Sequence, residues 1–204
     1  TYHVIINFFI GKSGFGSKYT TKKFLKWLDE IKPDILHLHN IHGFYINVSF
    51  LFEYIKEHNI RVVWTLHDCW SFTGQCAHFD YVGCDKWKTG CYKCPIYRSN
   101  YPYSLFCDNS KNNYKDKRYA FTGVNTLLVI TPSNWLAELV KKSFLKEYKI
   151  KVVSNGIDLK KFCLKKEDSN IVLRNMHGIK ENEHIILAVA NAWTANKGLN
   201  FVYR

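Results

Sequence analysis

Short apolar runs alternate with amphipathic stretches along this chain. Residues 34–38 (DILHL), 60–66 (IRVVWTL), 126–131 (TLLVIT) and 150–153 (IKVV) are bounded by turn residues and read as strands. Between them lie stretches with helical spacing. One runs over 20–32, with Phe24, Leu25, Trp27, Leu28 and Ile31 inward and Pro33-Asp34 as its stop. A second covers 47–58. A third starts at Ser133, a good N-cap residue, and runs to about Leu145. Residues 2–10 (YHVIINFFI) fit either a helix or a buried strand, and the GKSGFGS after them is a turn without the dinucleotide-binding glycine spacing. Strands separated by helices predict an α/β fold with a parallel sheet and crossover helices.

The pattern breaks at the turn-rich SNGID, and the charged residues at 159–169 set a domain boundary, giving 1–158 and 159–204. In the second part, 184–190 (HIILAVA) predicts a fresh strand, 193–197 a loop, and Gly198 the start of a helix.

Composition narrows the class. With 47% hydrophobic and 23% charged residues, the 204-residue chain supports a packed core rather than disorder. No apolar run approaches the ~18 residues of a membrane span. Thr1 opens no charged-then-apolar leader, so the expected setting is a reducing cytoplasm. The net charge of +12 is mostly Lys, read first as solvated helix faces.

The candidate chemistry concentrates in 62–95, VVWTLHDCWSFTGQCAHFDYVGCDKWKTGCYKCP. His67 and Asp68 end a central strand, where open parallel sheets bind ligands. His67 can donate to a sugar hydroxyl or phosphate, and Asp68 can orient it. His39 and Asn40, within HLHNIHG, end the preceding strand and read as a polar loop lining the same cleft; His37 can also be a satisfied core histidine. Cys76, Cys84, Cys91 and Cys94 form C-x7-C-x6-C-x2-C, whose last pair suits tetrahedral zinc. Structural zinc leads reduced, unliganded thiols, with disulfides third. Cys69, Cys107 and Cys163 are isolated and read as core residues. Lys197 before Gly198 can make an anion site at a helix start.

Together GFGSKYTTK, PDILHLHNIHGFYIN, the 62–95 stretch, TPSNWLAELVKKSFL, IKVVSNGIDLKKF and LAVANAWTANKGL resemble the family 4 glycosyltransferases of GT-B fold, in particular bacterial enzymes of exopolysaccharide, capsule and O-antigen assembly. The resemblance covers most of the chain. It implies a Rossmann-like acceptor-side domain over 1–158, carrying the Cys-rich loop 67–95, and the first βα unit of a Rossmann-like donor-binding domain over 159–204. It also implies retaining sugar transfer from a nucleotide-sugar to a glycan or lipid-diphosphate-linked acceptor, with no catalytic cofactor and peripheral contact with the inner membrane face. His67 takes the cleft-wall contact with donor sugar or diphosphate, and Lys197 the leaving-group role. Asp68, His39, Asn40, Ser133, Asn134, Asn155 and Gly198 complete the site set. The family's first βα unit is missing before Thr1, its downstream E-x7-E is absent, and Ala192 stands where many relatives carry a basic partner of the Lys. These 204 residues alone are therefore expected not to turn over sugar nucleotide.

Two rivals come from other classes. A zinc-dependent nucleic-acid-binding module needs clustered basic residues beside the Cys loop, where only Lys86, Lys88 and Lys93 stand, so no nucleic-acid partner is expected. A noncatalytic carbohydrate-binding protein would stack sugars on Trp70, Trp87 and Tyr92.

Overall fold

The computed structural model describes residues 2–163, 167–191, 193 and 197. They group into two compact units, dividing after Ser154.

The first unit is a four-stranded, all-parallel sheet with strands in sequential order. The strands are β1 (Ile35–His39), β2 (Arg61–Thr65), β3 (Leu127–Thr131) and β4 (Lys149–Val152). Helices α1 (Tyr2–Ile10), α2 (Lys18–Ile31), α3 (Val48–Glu57), α4 (Ser110–Phe121) and α5 (Asn134–Lys141) accompany it. This is the Rossmann-like architecture expected of the sequence. Register sets Leu38 beside Trp64 and His39 beside Thr65. Phe52 from α3 and Phe121 from α4 meet Trp64 of β2 at ring separations of 5.3 and 4.9 Å, forming the aromatic centre of the core.

Ser133 caps α5 as read, its side chain accepting from the N–H of Leu136; Asn47 caps α3 in the same way, accepting from the N–H of Phe50. The open segment 2–10 is a helix. Its His3 is buried, and Nε2 accepts from the N–H of both Gly14 and Gly16 at 3.1 Å. Those two bonds fix Nε2 as unprotonated, so Nδ1 carries the hydrogen toward Ser17 Oγ at 3.0 Å. The GKSGFGS turn is thus built for packing. Gly14 has φ +86°, and a Cβ there would stand 2.7 Å from the Trp70 ring.

Other expectations fail. Trp27 and Ile31 are about half exposed, while Thr21 and Leu28 form the buried side of α2. The third helix stops at Lys141, and a separate 3-10 turn covers Phe144–Glu147. The polar stretch after the Cys loop is α4, the crossover between β2 and β3. Its buried side includes Ser110, Asn113 and Lys117, which interrupt its apolar stripe.

The second unit holds α6 (Glu167–Met176), closed by Gly178 at φ +65° and by Arg174 donating to the carbonyls of Lys180 and Glu183. The strand expected at 184–190 does not form among the described residues. A strand is defined by a neighbour to pair with, and this stretch has none there.

Candidate functional site

The carboxyl ends of β1 and β2 bring together the residues that carry chemistry. Because His39 and Thr65 are in register, the loops leaving the two strands start side by side. His39 Nδ1 lies 3.0 Å from His67 Nε2, with the rings 5.3 Å apart and nearly parallel. His37 stacks against His39 at 4.2 Å and bonds Thr65 Oγ1 at 2.9 Å. His37 is exposed, so it is not a core histidine. Burial, with His37 and His67 nearby, pushes His39 below the usual imidazole range. A neutral His39 then shares one hydrogen with His67.

Asp68 serves a different partner from the one expected. Its Oδ1 accepts from the Trp70 N–H at 2.8 Å, and its Oδ2 lies 3.2 Å from His42 Nε2. His42 stacks on Trp70 at 5.1 Å. Burial drives His42 down, and Asp68 opposes that. Asp68 thus orients His42 and the loop backbone, while His67 is oriented by His39. Sequence reading placed His42 only within the polar HLHNIHG loop lining the cleft, without its partner Asp68, because a contact between two strand-end loops is visible only once the register is known.

Beneath Trp70 lies Lys117, fully buried on α4. Its Nζ donates to the carbonyls of Trp70 and Thr73 at 2.7 and 3.0 Å and sits 3.7 Å from the Trp70 ring centre. Burial lowers its pKa to about 7, with Cys91, Cys76 and Asp68 acting in the opposite sense. No sequence signal separated this lysine from the solvated ones around it.

The remaining site residues divide between the units. Asn40 is exposed at the end of β1, with a left-handed backbone at φ 37°. Ser133 and Asn134 start α5 after β3, with Asn134 exposed. Asn155 and Lys197 belong to the second unit, where Asp158 folds the SNGID turn by accepting from the N–H of Lys160 and Lys161. Gly198, the helix it was expected to open, and Ala192 lie outside the described residues.

The hollow at the strand ends is shallow, about 10 Å³, with His67, Asp68 and Asn40 in its wall. A larger one, about 830 Å³, lies beside the glycine turn and α2. The strand ends form a wall rather than an enclosed pocket, and the chemistry stays with that wall because its polar groups converge there.

Of the isolated cysteines, Cys69 is buried as expected, but Cys107 and Cys163 are exposed. Trp70 and Trp87 are each 1% exposed and cannot stack a sugar; only Tyr92 of the three proposed aromatics is exposed. The four later cysteines line a common small cavity as free thiols. No group of three or more His, Cys, Asp or Glu among the described residues stands in metal-holding geometry.

A parallel sheet flanked by helices, with polar groups gathered at its carboxyl edge, is a Rossmann-like fold. Residues 1–161 match the profile of Glycosyltransferase Family 4, and the chain belongs to that family. It is 36% identical over 134 residues to a putative colanic acid biosynthesis glycosyl transferase, WcaC, of Escherichia coli (strain K12), covering 62% of this chain. The match takes in 32% of that relative's length. No solved structure is significantly similar to the chain. No helix among the described residues is long and apolar enough to cross a membrane.

Proposed function

We propose that this chain carries the acceptor-side wall of a glycosyltransferase that moves a sugar from a nucleotide-sugar to a glycan or lipid-diphosphate-linked acceptor, with retention, in cell-surface polysaccharide synthesis. The observation that carries this reading is the histidine pair His39–His67 at the carboxyl ends of two adjacent strands, in a family 4 chain. The relative's printed role in colanic acid biosynthesis supports the polysaccharide setting.

Sugar transfer separates charge: the anomeric centre becomes oxocarbenium-like while a nucleoside diphosphate departs. Fixed donors aimed at the departing group lower that barrier. His67 suits this task. It is exposed at a strand end, and one ring nitrogen is tied to His39. Its other nitrogen has no hydrogen-bond partner among the described residues and is left for donor sugar or diphosphate. Asp68 sets His42 and the loop. His39, Asn40, Ser133 and Asn134 line the same strand ends in this reading. Asn155, Lys197 and Gly198 belong to the donor side, with Lys197 neutralising the leaving diphosphate. No metal is assigned to the chemical step. Residues 1–158 then belong to the acceptor-side domain and 159–204 to the donor-binding one. The basic surface suits peripheral contact with an anionic cytoplasmic membrane face.

The test uses the complete enzyme. Release of nucleoside diphosphate from a panel of UDP- and GDP-hexoses is followed with a lipid-diphosphate acceptor. His67→Ala is expected to lower turnover about 100-fold; unchanged turnover would remove His67 from the site. Flotation with anionic vesicles checks the membrane contact, and failure to float with them counts against it.

A further inference from the structure

Cys76, Cys84, Cys91 and Cys94 surround one cavity of about 10 Å³, the space of a single small atom. All four are free thiols. One of the sulfurs already receives a backbone donor: Gly74 N–H reaches Cys91 Sγ at 3.1 Å. A Cβ on Gly74 would stand 2.4 Å from Ser110 O and 2.6 Å from Cys91 Cβ, so a glycine is needed to bring that N–H to the sulfur. Donors of this kind favour a thiolate over a thiol and orient metal-bound sulfur.

The cavity wall holds further unused polarity. Trp87 Nε1 and Ser110 Oγ are buried there without a hydrogen-bond partner. A buried N–H or O–H normally finds an acceptor, and a thiolate would supply one.

Charge points the same way. A fully buried ammonium is costly unless an anion accompanies it. One peptide group links Lys117 to the cysteines: its Thr73 carbonyl accepts from Nζ at 3.0 Å, and its Gly74 N–H reaches Cys91 Sγ at 3.1 Å. On the outer side, Lys86 lines the cavity, with its ammonium held on the carbonyls of Tyr92 and Lys93. Two lysines therefore bracket four thiols.

As free thiols the four do not stand in ligating geometry, so binding requires them to close on the ion. The donor set itself fits zinc: four cysteines about one cavity, no disulfide, and a C-x-x-C pair at Cys91 and Cys94. We propose that Cys76, Cys84, Cys91 and Cys94 bind one Zn²⁺ as four thiolates, with Lys117 as the buried counter-charge. On binding, each thiol releases its proton to solvent and its sulfur lone pair forms a Zn–S bond. No electrons are transferred. The centre is doubly negative, and Lys117 from within and Lys86 at the rim balance it. Four sulfurs leave no open position, so the ion is structural. Through Lys117 it braces Trp70, against which His42 stacks.

Metal content is measured on the whole chain, purified with reductant and without added metal, and needs no sugar substrate. About one zinc per chain is expected. Cobalt exchange should give the visible bands of a tetrahedral thiolate site. Cys84→Ser and Cys91→Ser should lose stoichiometric metal. Lys117→Met, read by chelator competition, should bind zinc about 10–100-fold more weakly. The wild-type protein decides the matter even where variants misfold. Metal-free protein whose thiols react at once, a disulfide among the four, or iron in place of zinc would each overturn the assignment. A folded Lys117→Met that holds zinc as tightly as wild type would remove the counter-charge.

Discussion

The two halves of the 62–95 stretch follow opposite building plans. At its start, His67 is exposed on a strand end and held by a single histidine contact. Further along, Trp70, Phe72, Phe79 and Trp87 are almost fully buried, and the cysteines turn inward among them. The first half offers polar atoms to solvent from a rigid sheet. The second is a small core outside the sheet, with its own aromatic packing. Lys117 and Trp70 join them. Density of Cys and Trp therefore marked the support, while the sparse His-Asp dipeptide marked the wall.

The largest effect separating the halves is expected at Trp87. Its ring contacts Phe72 and Phe79 at 5.3 and 5.1 Å. Trp87→Ala should cost about 3–5 kcal/mol of stability by denaturant unfolding. A cost under about 1 kcal/mol would show that the loop is not a packed core. On the other side, His67→Ala should change stability by less than about 0.5 kcal/mol, because it removes an exposed side chain. In the complete enzyme it should still lower turnover about 100-fold. A stability loss equal to that at Trp87 would erase the contrast.

How far residues alone revealed these plans depends on where the signal resides. Four strands were readable because short apolar runs between turn residues, such as LLVI in TLLVIT, leave little choice, and Ser133 was readable as a cap because its oxygen reaches a local N–H group. Helix α4 was not readable, since SKNNYKDKRYAF buries Ser110, Asn113 and Lys117 alongside Tyr114, Ala120 and Phe121, which interrupts the apolar stripe. The strand placement of His67 and Asp68 could be inferred. Their true partners, His39 and His42, depend on the β1–β2 register, a long-range property. For Cys107 and Cys163, residue type suggested burial, but both are exposed.

A smaller effect concerns the glycine turn beneath the same Trp70. Burial lowers the His3 pKa, and its Nε2 must stay unprotonated to accept from Gly14 and Gly16. The unfolded chain therefore takes up the proton first as pH falls below about 6.5. Stability present at neutral pH should be lost from there down to the folded-state pKa. His42, also lowered by burial, adds to the same slope. Replacing His3 by Gln keeps an acceptor that does not titrate. Urea midpoints at pH 7.5 and 5.5 should therefore differ less in His3→Gln than in wild type. An identical shift in both would mean that His3 does not carry the acid sensitivity.

The smallest effect tests whether the wall extends to β3. Ser133 Oγ accepts from the Leu136 N–H at 3.3 Å, which alone accounts for the residue as a helix cap. Ser133→Ala should cost about 1 kcal/mol by unfolding, whatever the residue does for substrate. Aspartate caps about as well as serine and adds a negative charge at the same place. Ser133→Asp should therefore keep wild-type stability. If Ser133 lines the cleft, that charge opposes an anionic diphosphate, so turnover in the complete enzyme should fall at least as far as in Ser133→Ala. A stable, fully active Ser133→Asp would confine the wall to β1 and β2, leaving Ser133 as a cap.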